Sequence, residues 1–110
     1  MTTTAPTTKV PLCTLDDIAV GLGRSFDVGG TSVAVFRGRE GQVFAVEGKC
    51  PHKGGPLADG MLIGEQVVCP LHAYRYHGTS GECDQPGACA IEAFPAEVQN
   101  GTVYVTVPLS

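Results

Sequence analysis

The sequence contains no tryptophan, two methionines and three histidines, and aromatic residues make up 6% of it. Charge is sparse at 16%, with seven Lys and Arg against eleven Asp and Glu, for a net charge of −4. That shortage of basic residues excludes the electropositive footprint by which a domain holds nucleic acid. It leaves a mildly acidic surface, which favours encounter with a basic partner. No apolar run approaches the ~20 residues of a membrane span. The opening stretch, Met1 to Lys9, is rich in threonine and lacks the basic start and apolar centre of a secretory signal. The expectation is a cytoplasmic protein with no membrane contact. No segment carries apolar residues at helical spacing, so long amphipathic helices are excluded too. There is no zinc-protease motif, phosphate loop or nucleophile–base constellation. Gly21-Leu22-Gly23 lacks the third glycine of a dinucleotide fingerprint. The chain therefore offers no catalytic group of its own, and a role as an oxidoreductase subunit stays open.

Glycine and proline, at fifteen and eight residues, are what the chain has in quantity, and they favour turns over long helices. The length, 110 residues, is that of one domain. Residues 1–8 contain no large anchoring side chain and read as a flexible tail, which leaves 9–110 as the domain. Lys9 to Cys13 reads as a first strand. Thr14 to Ile18 has a capping residue followed by acids and reads as one short helical turn. Three hairpins follow. Arg24 to Val28 and Thr31 to Arg37 join through Gly29-Gly30. Thr31 to Arg37 joins Gln42 to Glu47 through residues 38–41. Phe94 to Gln99 joins Thr102 to Val107 through Asn100-Gly101, a strong two-residue turn signal. In the last pair Val103, Val105 and Val107 alternate with Thr102, Tyr104 and Thr106. Gln66 to Val68 and Ala73 to His77 read as further short strands. The fold class is all-β, an antiparallel sandwich or partial barrel.

The chemistry is concentrated in residues 50–72. Cys50-Pro51-His52 is followed, sixteen residues on, by Cys69-Pro70-Leu71-His72. Each half-site offers one thiolate and one imidazole. Two sulfurs and two nitrogens suit a single tetrahedral zinc, or a two-iron, two-sulfide unit with both cysteines on one iron and both histidines on the other. Pro51 and Pro70 stiffen the chain beside each thiolate. Gly54, Gly55, Gly60 and Gly64 allow backbone to approach sulfides closely and donate N–H groups to them. Each half-site falls between strands, so the two loops are expected to converge at one tip of the β framework.

Cys50-Pro51-His52-Lys53-Gly54-Gly55 and Cys69-Pro70-Leu71-His72 resemble the two boxes of Rieske [2Fe–2S] proteins. The resemblance implies a Rieske-type antiparallel β-sandwich with the cluster-binding loops at one tip. It also implies one [2Fe–2S] cluster per chain, with Cys50 and Cys69 on the inner iron and His52 and His72 on the outer. His77, past the second box, reads as a strand-end residue. Asp84 to Ala88 resembles the proline-bearing loop that covers the cluster in many such domains. Asp16, Asp17, Glu82 and Asp84 read as solvated loop residues. Cys13, Cys83 and Cys89 remain, an odd number, which argues against a fully paired disulfide framework. Cys83 and Cys89 read as two thiols in a reducing compartment, with a bridge between them as the alternative.

High-potential members carry an extra cysteine in each box and a serine after the second histidine. Here Leu71 and Tyr74 occupy the matching second-box positions, and residues 53–68 contain no cysteine. Fewer donors to sulfur imply a potential toward the low end of about −150 to +300 mV. Tyr76 stands where those proteins have a tyrosine whose hydroxyl can donate to a cysteine sulfur. From about Lys9 to Val107 the chain is similar to the small subunit of assimilatory NAD(P)H-dependent nitrite reductase. That resemblance implies the flavin- and sirohaem-bearing large subunit as partner. The alternatives are the ferredoxin component of an aromatic-ring dioxygenase or related oxygenase, fed by a flavin reductase, and a zinc-stabilised interaction module.

Overall fold

Two uninterrupted apolar runs, residues 33–36 and 43–46, are buried along their whole length. A strand presents successive side chains to opposite faces, so a run without polar breaks must be covered on both sides. That requirement sets the architecture. The structure, a computed structural model, describes residues 7–28, 30–48, 57, 60–68, 75–83 and 91–108. Within them the strands are β1 (Thr7–Thr14), β2 (Gly23–Val28), β3 (Thr31–Arg37), β4 (Val43–Glu47), β5 (Met61–Ile63), β6 (Gln66–Val68), β7 (Arg75–His77), β8 (Ala93–Phe94), β9 (Ala96–Gln99) and β10 (Thr102–Pro108). One 3₁₀ turn, Leu15–Asp17, follows β1, and the Thr14 N–H donates to the Asp17 carboxylate at its start (3.1 Å).

The strands form three antiparallel sheets in the orders β1-β10-β9, β2-β3-β4-β8 and β5-β6-β7. The central sheet carries both apolar runs. Val33, Val35, Val43 and Ala45 face one core with Ile18, Phe94, Val103, Val105 and Val107. Ala34, Phe36, Phe44 and Val46 face a second core with Leu57, Leu62, Val67, Tyr76 and Ile91. The sheet β5-β6-β7 is thus held to the framework by an apolar interface of its own. Among the described residues no helix is long and apolar enough to cross a membrane.

The expected hairpins are present, with differences that have local causes. β1 runs further than Lys9 to Cys13, and its register with β10 shifts between Pro11 and Cys13. Proline lacks an N–H, and an edge strand tolerates the gap. The segment expected as one strand from Phe94 to Gln99 divides at Pro95. Residues before it pair with β4 and residues after it pair with β10, while the Pro95 carbonyl accepts the Thr106 N–H at 2.9 Å. The proline thus marks where the chain passes from one sheet to another.

The turn Asn100-Gly101 has both residues at positive φ, +52° and +80°. A Cβ at Gly101 would meet nothing within 4 Å, so replacing it with alanine tests backbone strain alone. We expect Gly101→Ala to cost about 1–2 kcal/mol, read as a lower urea midpoint with an unchanged slope.

Candidate metal centre

Cys50, His52, Cys69 and His72 lie outside the described residues, as do Leu71, Tyr74, residues 84–88 and Cys89. The frame that carries them is described, and it joins the two boxes through an unbroken series of backbone contacts. The first box leaves the framework at Gly48, whose N–H donates to the Ser32 carbonyl (2.9 Å). The chain returns at Leu57, whose N–H donates to the Gly48 carbonyl (3.0 Å), and the Gly60 N–H donates to the Leu57 carbonyl (3.0 Å). Gly60 then lies against Val68: a Cβ there would stand 1.9 Å from the Val68 carbonyl oxygen. Val68 pairs with Met61 on one side and Arg75 on the other. The ends of segments 49–56 and 69–74 therefore sit together at one end of the sheet β5-β6-β7. Cys50 is two residues beyond Gly48, and Cys69 directly follows Val68.

Two glycines do something other than expected. The Gly60 N–H is spent on the Leu57 carbonyl, so its close approach serves backbone packing rather than a sulfide. Gly64, at φ +62°, turns β5 into β6 at the end of the hairpin away from Val68. Sequence reasoning also missed β5. Only Leu62 of its three residues points inward, and three residues are too few to reveal alternation.

The neighbours of the frame sort by burial. Tyr76 is fully buried, paired with Val67 and bridged to Cys83. Ile91 donates its N–H to the Gly81 carbonyl (2.9 Å), which ties down the exit of the segment expected to cover the centre. His77 is half-buried at the end of β7, as expected; its N–H donates to the Glu82 carbonyl (2.8 Å). Cys13 belongs to the opposite layer, where burial, with the Asp17 charge second, pushes its thiol up and makes a thiolate less available. Val20, Leu22, Met61 and Ile63, the exposed large apolar residues among those described, line one groove of about 860 Å³ beside β5. Among the described residues no group of three or more His, Cys, Asp or Glu side chains is arranged to hold a metal.

Comparison with known proteins agrees with this frame. The Rieske [2Fe-2S] domain family matches residues 8–95. The ferredoxin component of the alkene monooxygenase system of Xanthobacter autotrophicus is 32% identical over 102 residues, covering 91% of this chain and 83% of that protein. The ferredoxin of carbazole 1,9a-dioxygenase from Nocardioides aromaticivorans superposes with a TM-score of 0.79 at 30% identity, covering 89% of this chain and 96% of that one. A Mycobacterium tuberculosis protein named as the small subunit of an NADH-dependent nitrite reductase superposes with a TM-score of 0.86, covering 96% and 99% of the two chains. At 24% identity, that last likeness speaks for the fold alone. The chain spans 18–25% of the length of the cholesterol 7-desaturases and the 3-ketosteroid-9-alpha-monooxygenase oxygenase component that it also matches.

The chain belongs to the Rieske [2Fe-2S] domain family. It is an electron-transfer domain whose cofactor is a [2Fe–2S] cluster. The donor set fits that cofactor. Two thiolates and two imidazoles are what a Rieske centre requires, and the segments that carry them begin and end on one connected stretch of backbone.

Proposed function

We propose that Cys50 and Cys69 hold one iron and His52 and His72 the other, and that the chain carries single electrons as the small subunit of an NAD(P)H-dependent nitrite reductase. When bound, such a cluster accepts and releases one electron. The contribution of the chain is to hold it. Together with the two sulfides of the cluster, the two thiolates would balance the charge of two ferric ions; the imidazoles would bind in their neutral form, and each would leave one ring nitrogen for a proton or a partner contact. Four protein donors leave no iron position for a substrate, so reduction of nitrite would fall to the large subunit.

The observation that carries the electron-transfer reading is the convergence of the two box-bearing segments on Gly48, Gly60 and Val68. The nitrite reductase reading draws support from a second solved protein named as a nitrite reductase NADPH small subunit. That protein is 28% identical and matches over 89% of this chain and 97% of its own. A second reading, the ferredoxin of an oxygenase, is favoured by the alkene monooxygenase component noted above. Anaerobic capture of partners from source cells, with metal analysis of the eluate, separates them. Two iron and two sulfide per chain with a sirohaem protein are expected under the first reading. Turnover with a flavin reductase and an oxygenase would replace it by the second, and one zinc per chain would overturn both.

Leu71 and Tyr74 supply no donors equivalent to the cysteine and serine of high-potential members. A midpoint toward the low end of about −150 to +300 mV is therefore expected, and a titration giving a value well above zero would contradict this. We assign to the buried Tyr76 the remaining side-chain donation to a cysteine sulfur, since it pairs with Val67, two residues before Cys69. Tyr76→Phe should move the midpoint to more negative values while the iron content stays as in the wild type. An unchanged midpoint would remove Tyr76 from this role.

A further inference from the structure

We propose that Gly60 is a positioning residue for the cluster, the point at which the two ligand boxes are fixed at one separation. The proposal rests on the ligand assignment above and adds to it a residue that touches neither iron nor sulfide.

Gly60 lies between the two boxes in sequence, and it connects the described residues at their roots, Gly48 and Val68. On one side its N–H donates to the Leu57 carbonyl, and the Leu57 N–H in turn donates to the carbonyl of Gly48 at the entry to the first box (both 3.0 Å). On the other side it stands against the carbonyl of Val68, the residue before Cys69. A Cβ at Gly60 would lie 1.9 Å from the Val68 oxygen, 3.1 Å from its carbon and 3.2 Å from the Leu57 oxygen. All three obstacles are backbone, so no side chain can swing aside to make room. Gly48 differs: its nearest obstacle is the Ser32 side chain, 2.1 Å from the added Cβ. An added carbon at Gly60 forces Gly60 and Val68 apart, and through the hydrogen bonds from Gly60 to Leu57 and from Leu57 to Gly48 that movement would draw the root of the first box away from the root of the second. The sheet cannot absorb that movement elsewhere, because Met61 pairs with Val68 directly after Gly60 and Leu62 is packed into the core. Each box would supply one thiolate to one iron and one imidazole to the other, so each iron would set the distance between its donors from the two boxes. A changed separation therefore acts on cluster retention and electronic structure before it acts on the fold.

The test is Gly60→Ala beside Gly101→Ala. Gly101 lies in the turn between β9 and β10, away from the sheet that bears the boxes, and its alanine variant is strained by the φ of +80° alone. Both variants are expected to melt earlier than the wild type. Only Gly60→Ala should also show an altered electron paramagnetic resonance line shape on reduction and lose iron to a chelator about tenfold faster or more. A Gly60→Ala protein with the wild-type spectrum and iron-release rate overturns the proposal, whatever its melting temperature. A wild type that lacks the reduced Rieske signal instead overturns the ligand assignment. Hydrogen exchange on the wild type gives a reading that does not depend on the variant folding. The amides of Leu57 and Gly60 should exchange as slowly as that of Leu62, and exchange as fast as at the exposed turn residue Arg39 would also overturn it.

Discussion

Replacing Cys69 with alanine is expected to leave the domain colourless and without iron. The residue directly follows Val68, whose carbonyl is held against Gly60 and whose strand neighbours are Met61 and Arg75. The backbone at Val68 is fixed from three sides, so the chain leading to position 69 cannot readily shift to bring another donor to the iron. Cys83 and Cys13 are the cysteines among the described residues. Cys83 is bridged to Tyr76, and Cys13 lies in the opposite layer with its thiol pushed up by burial. An iron left with one thiolate has lost half of its protein donors, and a bound cofactor stabilises the fold that binds it. The variant should therefore show near-zero iron and sulfide, no reduced Rieske signal and a lower melting temperature. Cys13→Ala is the matched control. It removes a thiol of the same kind from a half-buried site and should keep the full iron content. Retention of iron by Cys69→Ala would end the ligand assignment, and loss of iron from Cys13→Ala would show that the assay reads general instability.

What could be read from the sequence follows from how locally each feature is specified. The two boxes were legible because metal binding demands particular atoms at short spacing, and Cys50, His52, Cys69 and His72 supply them within 23 residues. The hairpin through Asn100-Gly101 was legible because a tight turn needs positive φ at both residues, and the alternation of Val103, Val105 and Val107 gives one buried face. The frame beneath the centre was not legible, because its contacts join residues with no local pattern. Nothing around Gly60 announces that Val68 will lie against it, and a glycine beside a cluster motif invites the reading of an N–H donor to sulfide. Pro95 gave a signal that was underused: a residue without an N–H inside an expected strand marks the place where the chain leaves one sheet for another. The unbroken runs at 33–36 and 43–46 carried a further signal. Burial on both faces of one hairpin already calls for a covering layer on each side, and the second of those layers is the sheet that bears the boxes.

That shared core leads to a second large effect. Phe36→Ala should cost about 3–5 kcal/mol, a substantial part of the 5–15 kcal/mol that holds an ordinary domain folded. The ring is fully buried, and it packs in one cluster with Leu57, Leu62, Val67 and Tyr76. Gly23 closes over it from β2, so the neighbouring backbone cannot readily collapse into the space left behind. The location of the cavity matters more than its size. Leu57 stands at the return of the first box, and Val67 lies two residues before Cys69. A void under these residues loosens the seat of both boxes as well as the fold. Val35 tests the distinction, because it is equally buried on the same strand but faces the other core, against β10. Val35→Ala removes less volume and should cost less, with iron release unchanged under native conditions. Phe36→Ala should release iron measurably faster at urea concentrations where the protein is still folded. Equal iron-release rates for the two variants would mean that the centre is insulated from the core beneath it. Its retention would then rest on the backbone contacts through Gly48, Gly60 and Val68 alone.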